Sequence, residues 1–120
     1  MHHWQISHLG VIIPLADAYY QSRHPEKICA NEKLMTLTAY RMKKNLKWIA
    51  QKGMLCPAKL YMIKDMPTGM LAGVLSRVYQ SEFGNRFLYR HAMHAPEEFQ
   101  RLHQEFYNYM KTVSYTHLTL

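Results

Sequence analysis

Apolar residues recur at helical spacing more clearly in residues 31–53 than anywhere else in the chain. At 100° per residue, five of them share one narrow stripe, called here the inner stripe: Met35, Ala39, Met42, Leu46 and Ile49. Asn31 is suited to cap the first turn, and Gly53 is suited to end the helix in a left-handed conformation. The pattern therefore predicts a helix over 32–52 with the inner stripe in a core.

The same periodicity predicts two further helices. The helix over 69–83 is expected to begin after Thr68 as N-cap and to bury Leu71, Val74, Leu75 and Val78. The helix over 96–112 is expected to begin at Pro96, ahead of two glutamates. Six of its side chains share one face: Phe99, Leu102, His103, Phe106, Met110 and Val113.

The amino-terminal part of the chain has a weaker pattern. Gly10 and Pro14 argue against a continuous helix over 1–14, so a short helix is predicted only from Pro14, over 14–23. The segment near 59–64 fits either a short strand or one helical turn, and the segment near 86–91 fits a second short strand. We expect a mainly α fold, a small bundle of three to four helices. An α+β fold with one short two-stranded element is the alternative.

The length of 120 residues fits one domain. Residues 113–120, VSYTHLTL, resemble the translated sequencing-adapter tail that recurs at the ends of reading frames from assembled environmental reads. The resemblance implies that 113–120 is a non-native tail and that the chain is truncated near Thr112. Residues 1–112 would then be a single small helical domain or a fragment.

Positive charge is concentrated in one segment of the chain. The formal net charge is +7, and residues 23–64 carry ten Lys and Arg against two acids, whereas the rest carries five bases and six acids. Such a segment indicates a surface for a polyanion, with nucleic acid (RNA or DNA) first and an anionic membrane surface second. A solvated, lysine-rich helix face is the alternative.

The side of the 32–52 helix opposite the inner stripe mixes cations with large rings. We predict that this side binds nucleic acid through Lys33, Tyr40, Arg41, Lys44, Lys47, Trp48 and Lys52. The rings would stack on unpaired bases while the cations neutralise phosphates. Alternatively, Leu37, Tyr40 and Trp48 pack against a second helix. Burial of Trp48 distinguishes these two interpretations.

A second candidate site lies at 86–91, RFLYRH, followed by AMHAPEEFQRLHQEFYNYM. This region resembles the signature region of HEPN domains, small helical bundles of which many are metal-independent ribonucleases. The resemblance implies that Arg86 stabilises the scissile phosphate and that His91 acts as general acid or base. A HEPN-like ribonuclease is therefore the alternative function. A non-enzymatic structural fragment of a larger protein is the third.

Other sequence features predict neither a cofactor nor a metal site. Cys29 and Cys56 form no CxxC pair and are expected to be reduced and buried. His91, His94 and His103 match no recognised zinc spacing. The first residues do not have the pattern of a signal peptide and no run reaches about 18 apolar residues, so we expect a cytoplasmic location without a transmembrane segment. Homo-oligomerisation stays open.

Overall fold

The computed structural model describes residues 2–22, 25–81, 89–94 and 96–119, apart from the side chains of residues 25, 26, 91, 92, 94 and 114–119. These residues form six α-helices and one 3-10 helix, with no strand among them. The α-helices are α1 (His3–Gln21), α2 (Glu32–Gln51), α3 (Lys59–Asp65), α4 (Thr68–Gln80), α5 (Tyr89–His94) and α6 (Pro96–Thr119), and the 3-10 helix (Pro25–Ala30) connects α1 to α2. The predicted mainly α fold is confirmed.

Helix α2 begins and ends as its sequence predicts. Asn31 Oδ1 accepts a hydrogen bond from the Leu34 backbone N–H at 3.1 Å. Gly53 follows the helix with φ of 69°, a conformation that glycine adopts without steric cost. Every residue of the inner stripe is at most 2 % exposed. Complete burial of a large apolar side chain contributes about 1.5–3 kcal/mol, so the inner stripe anchors α2 in the core.

Helix α1 departs most from the prediction. It spans both the segment expected to be irregular and Pro14, which lies inside the helix. A proline has no N–H to donate to the carbonyl four residues earlier. That carbonyl, on Gly10, instead accepts a hydrogen bond from Asn45 Nδ2 of α2 at 3.2 Å. The neighbouring helix supplies the missing donor, so the predicted start at Pro14 is wrong.

Helices α1 and α2 approach each other closely at Gly10. A Cβ atom on Gly10 would lie 2.8 Å from Ile49 Cδ1 and 3.5 Å from Asn45 Cβ. Buried side chains surround much of α1, and they include the polar Ser7. The Ser7 hydroxyl donates to the Met54 carbonyl and accepts from the Cys56 backbone N–H, both at 3.1 Å. This all-round burial explains why α1 shows no amphipathic period.

Helix α4 turns a slightly different face to the core than its sequence predicts. Leu71, Ala72, Leu75 and Tyr79 are buried, whereas Val74 is 42 % exposed and Val78 is half-buried. Tyr79 can be buried because its hydroxyl donates to the Leu15 carbonyl at 2.6 Å. The N-cap residue is Pro67, so the prediction of Thr68 as the cap is also wrong.

Helix α6 covers α1 and extends past the predicted end at 112. Phe106 and Met110 are buried as expected, but His103 is exposed, so its predicted place in the core is wrong. Whether 113–120 is a non-native tail stays a prediction. Both cysteines are free and half-buried, contrary to their expected burial. No helix in the described part of the chain has the length and apolar character needed to cross a membrane.

Candidate functional site

A groove of about 990 Å³ lies on the outer side of α2, away from the inner stripe. We call it the α2 groove. Helix α2 contributes most of its lining: Tyr40, Lys43, Lys44, Asn45, Lys47, Trp48 and Gln51. The α3–α4 region adds Lys64, Asp65 and Thr68, and α6 adds His103, Phe106 and Tyr107.

The α2 groove carries an excess of positive charge, with four lysines and one aspartate in its lining. Lys64 Nζ lies 2.8 Å from Asp65 Oδ1, so these two charges offset each other. Lys43, Lys44 and Lys47 have no carboxylate partner among the residues that the structure describes. Like charges three or four residues apart destabilise a helix by about 0.2–0.5 kcal/mol per pair. The three lysines therefore cost α2 some stability rather than adding to it.

Aromatic rings stand beside these lysines. Tyr40 is 56 % exposed and Tyr107 is 44 % exposed. Trp48 is half-buried, with its ring centroid 6.3 Å from that of Phe106 and 6.2 Å from that of Tyr107, both edge-on. Trp48 therefore packs against a second helix, as the alternative interpretation predicts, and it also lines the groove; its stacking on bases stays a prediction.

Four of the seven residues predicted to bind nucleic acid line the α2 groove: Tyr40, Lys44, Lys47 and Trp48. The other three, Lys33, Arg41 and Lys52, are not part of its lining. Lys33 and Arg41 are exposed elsewhere on α2, and Lys52 is the half-buried C-cap residue. The structure thus divides the predicted set, and only its central part faces a common space.

Three lining residues with suitable chemistry were not predicted: Lys43, Lys64 and Tyr107. Lys43 lies one turn before Lys47 on α2, so helical spacing alone could have identified it. Tyr107 comes from α6, where the ammonium group of Lys111 lies 4.8 Å from its ring centroid. Nothing in the local pattern of α6 signals that Tyr107 meets Trp48, since tertiary packing brings these rings together.

His103 connects the α2 groove to a charged contact between α1 and α6. Its Nδ1 atom lies 3.5 Å from Asp17 Oδ2, an ion pair when the imidazole is protonated. Burial raises the pKa of Asp17 above its ordinary value, and the charges of His103 and Arg41 partly oppose that rise. The positive charge of Arg41 therefore acts on Asp17, and neither residue lines the groove.

The proposed ribonuclease residues lie outside the part of the chain whose side chains are described. Arg86 falls in the undescribed segment 82–88, and of His91 only the backbone is described, within α5. Their roles stay predictions from the HEPN resemblance. Among the described residues, no group of three or more His, Cys, Asp or Glu side chains is arranged to hold a metal ion.

Comparisons of the chain with protein-family models, curated proteins and solved structures found no match. The chemistry of the α2 groove is therefore the basis for assigning a function.

Proposed function

We propose that the protein binds nucleic acid along the α2 groove. The observation that supports this most strongly is the placement of Lys43, Lys44 and Lys47, which lack carboxylate partners among the described residues, on the same side as the exposed Tyr40. Three like charges on adjacent turns repel one another. Their attraction to a polyanion in the groove would offset this repulsion. The lysine ammonium groups would displace the counterions that otherwise surround the phosphates of the nucleic acid.

Salt-dependent binding tests this function. We expect the affinity for fluorescently labelled RNA and DNA oligonucleotides, measured by anisotropy, to fall linearly on a log–log plot against salt concentration. For single strands the slope should be about −0.7 per phosphate neutralised, so three lysines predict a slope of roughly −2. The double variant Lys44→Glu/Lys47→Glu should bind at least about tenfold more weakly and should show a shallower slope.

A charge-matched variant separates the α2 groove from net charge. Lys33→Glu/Lys59→Glu makes the same change at two exposed lysines outside the groove. Because neither lysine lines the groove and salt at 0.1 M weakens interactions between charges that are not in direct contact, this variant should keep its affinity within about threefold. Equal losses in the two double variants would assign binding to overall charge. Binding that is absent, or insensitive to salt, would contradict the proposed function.

A further inference from the structure

We infer that the α2 groove takes single-stranded nucleic acid and that Tyr40 stacks on an unpaired base of that strand. This inference rests on the proposed function and narrows its ligand. A lysine-lined surface alone would favour a duplex, which carries one negative charge per about 1.7 Å against about 3.4 Å for one strand. The shape of the groove and its exposed rings instead favour a single strand.

The shape of the groove disfavours a duplex. The major groove of B-DNA is about 12 Å wide and admits a lone helix, which is itself about 10–12 Å across with its side chains. The lysine-bearing side of α2 is not a lone helix, because Phe106 and Tyr107 of α6 and Thr68 of α4 line the same space. Helix α2 could not enter a major groove without bringing these neighbours with it. A flexible single strand can instead lie in the recess.

The order of side chains along α2 suits a strand with exposed bases. Tyr40 and Trp48 are eight residues apart, which corresponds to about 12 Å along the helix axis. Lys43, Lys44 and Lys47 lie between them, so the groove places ammonium groups between two aromatic rings. Base stacking on aromatic side chains tolerates any sequence, because every base has a π-face. In a duplex those faces are already covered by neighbouring base pairs.

Tyr40 is the better position at which to test stacking. Its side chain is 56 % exposed, so its removal should leave the fold intact, whereas the half-buried Trp48 also packs on Phe106. We expect Tyr40→Ala to weaken binding of a single-stranded oligonucleotide by about five- to a hundredfold. Tyr40→Phe should retain the affinity because the ring remains. Leu37→Ala, at an exposed apolar residue on the same helix outside the groove, is the matched control and should change little.

The ligands provide a second control. An abasic oligonucleotide of the same length keeps the phosphates and lacks the bases, so it should bind to the unmodified protein at least as weakly as the normal oligonucleotide binds to Tyr40→Ala. A duplex of that length should also bind more weakly than the single strand. The chain has two tryptophans, so Trp4→Phe leaves Trp48 as the only one. In that variant, the single strand should quench the indole fluorescence and the abasic strand should not.

The outcomes separate this inference from the proposed function. If the duplex and the abasic strand bind as tightly as the single strand, and Tyr40→Ala has no effect while Lys44→Glu/Lys47→Glu still weakens binding, the inference is overturned and the charge-based function survives. If no nucleic acid binds at any salt concentration, both fail. A Tyr40→Phe variant as weak as Tyr40→Ala would assign the effect to the hydroxyl group and would also overturn stacking.

Discussion

The two sides of α2 belong to the same 20 residues and obey different physical rules. The inner stripe is apolar and closed to solvent, and α1 approaches it so closely that only a glycine fits at position 10 without a shift of Ile49. The opposite side is open and carries lysines without carboxylate partners among the described residues, next to an exposed tyrosine. The residues that stabilise the fold and the residues proposed to bind nucleic acid thus lie on opposite sides of one helix.

This separation has a testable meaning. Loss of apolar burial on the inner stripe should lower the free energy of unfolding without changing the affinity of the folded protein. Changes in the α2 groove should alter affinity and leave unfolding nearly unchanged, because exposed side chains contribute little to stability. Two polar contacts among the described residues join the lining of the α2 groove to α1, one at Asn45 and one between His103 and Asp17. Variants at these positions test whether the free energy of unfolding and the affinity change together.

The largest expected effect is from Leu46→Ala on the inner stripe. Leu46 is fully buried, and its truncation should lower the free energy of unfolding by about 2–5 kcal/mol through lost burial and a cavity. That is a large share of the roughly 5–15 kcal/mol by which small domains are stable. Urea unfolding measures the loss, and Leu37→Ala, on the exposed side of the same helix, should cost no more than about 0.5 kcal/mol.

The binding of folded Leu46→Ala sharpens the comparison. Its affinity for an oligonucleotide, measured at low temperature and without denaturant, should equal that of the unmodified protein. A reduced affinity with an unchanged helical circular dichroism spectrum would show that the inner stripe positions the α2 groove. The two sides of α2 would then not be separable.

The contrast between α1 and α2 also shows how far sequence reasoning reaches. The signals of α2 are local: Asn31 caps it three residues before Leu34, and its apolar period is regular. The decisive contact of α1 is not local, because Asn45 stands 35 residues from the Gly10 carbonyl that it supplies. The sequence around Pro14 predicts a helix start, because proline is common at the first position of a helix. It does not reveal that Asn45, on another helix, donates the hydrogen bond that Pro14 cannot.

The same distinction between local signals and contacts of distant residues applies to the candidate site. Tyr40, Lys44, Lys47 and Trp48 could be predicted because they share one helix and its period. Tyr107 could not, since it joins Trp48 only through the docking of α6. Lys33 belongs to the predicted set but lies outside the lining of the groove, because a charge pattern on a helix does not reveal where flanking helices close a groove.

The second effect in size concerns Asn45, which lines the α2 groove and bonds to α1. Asn45→Ala leaves the buried Gly10 carbonyl without its donor and should cost about 1–3 kcal/mol of unfolding free energy. Pro14→Ala restores a backbone N–H four residues after Gly10. In that background, Asn45→Ala should cost about 1 kcal/mol less than in the unmodified protein, as measured by a double-mutant cycle in urea. Equal costs in both backgrounds would contradict the exchange of donors.

The smallest expected effect is at Asp17 and depends on pH. Burial raises its pKa in the folded chain above the value of 3.8 that it has when exposed. The folded protein therefore binds more protons at Asp17 than the unfolded chain does between those two pKa values. Stability linked to this group is fully present below pH 3.8 and falls as the pH rises through the folded pKa.

Asp17→Asn has no proton to release and should abolish this part of the decline. Urea unfolding of both proteins from pH 3 to pH 7 should show the variant gaining stability relative to the unmodified protein as the pH rises. Parallel profiles would mean that Asp17 has the same pKa in both states.

The substitution also removes the carboxylate beside His103 and close to Arg41. Asp17 does not itself line the α2 groove but contacts His103, which does, so loss of this one negative charge should raise nucleic-acid affinity by less than about threefold at 0.1 M salt. A larger gain in affinity would mean that Asp17 holds positive charge away from the groove, and the boundary between the two sides of α2 would then lie at His103.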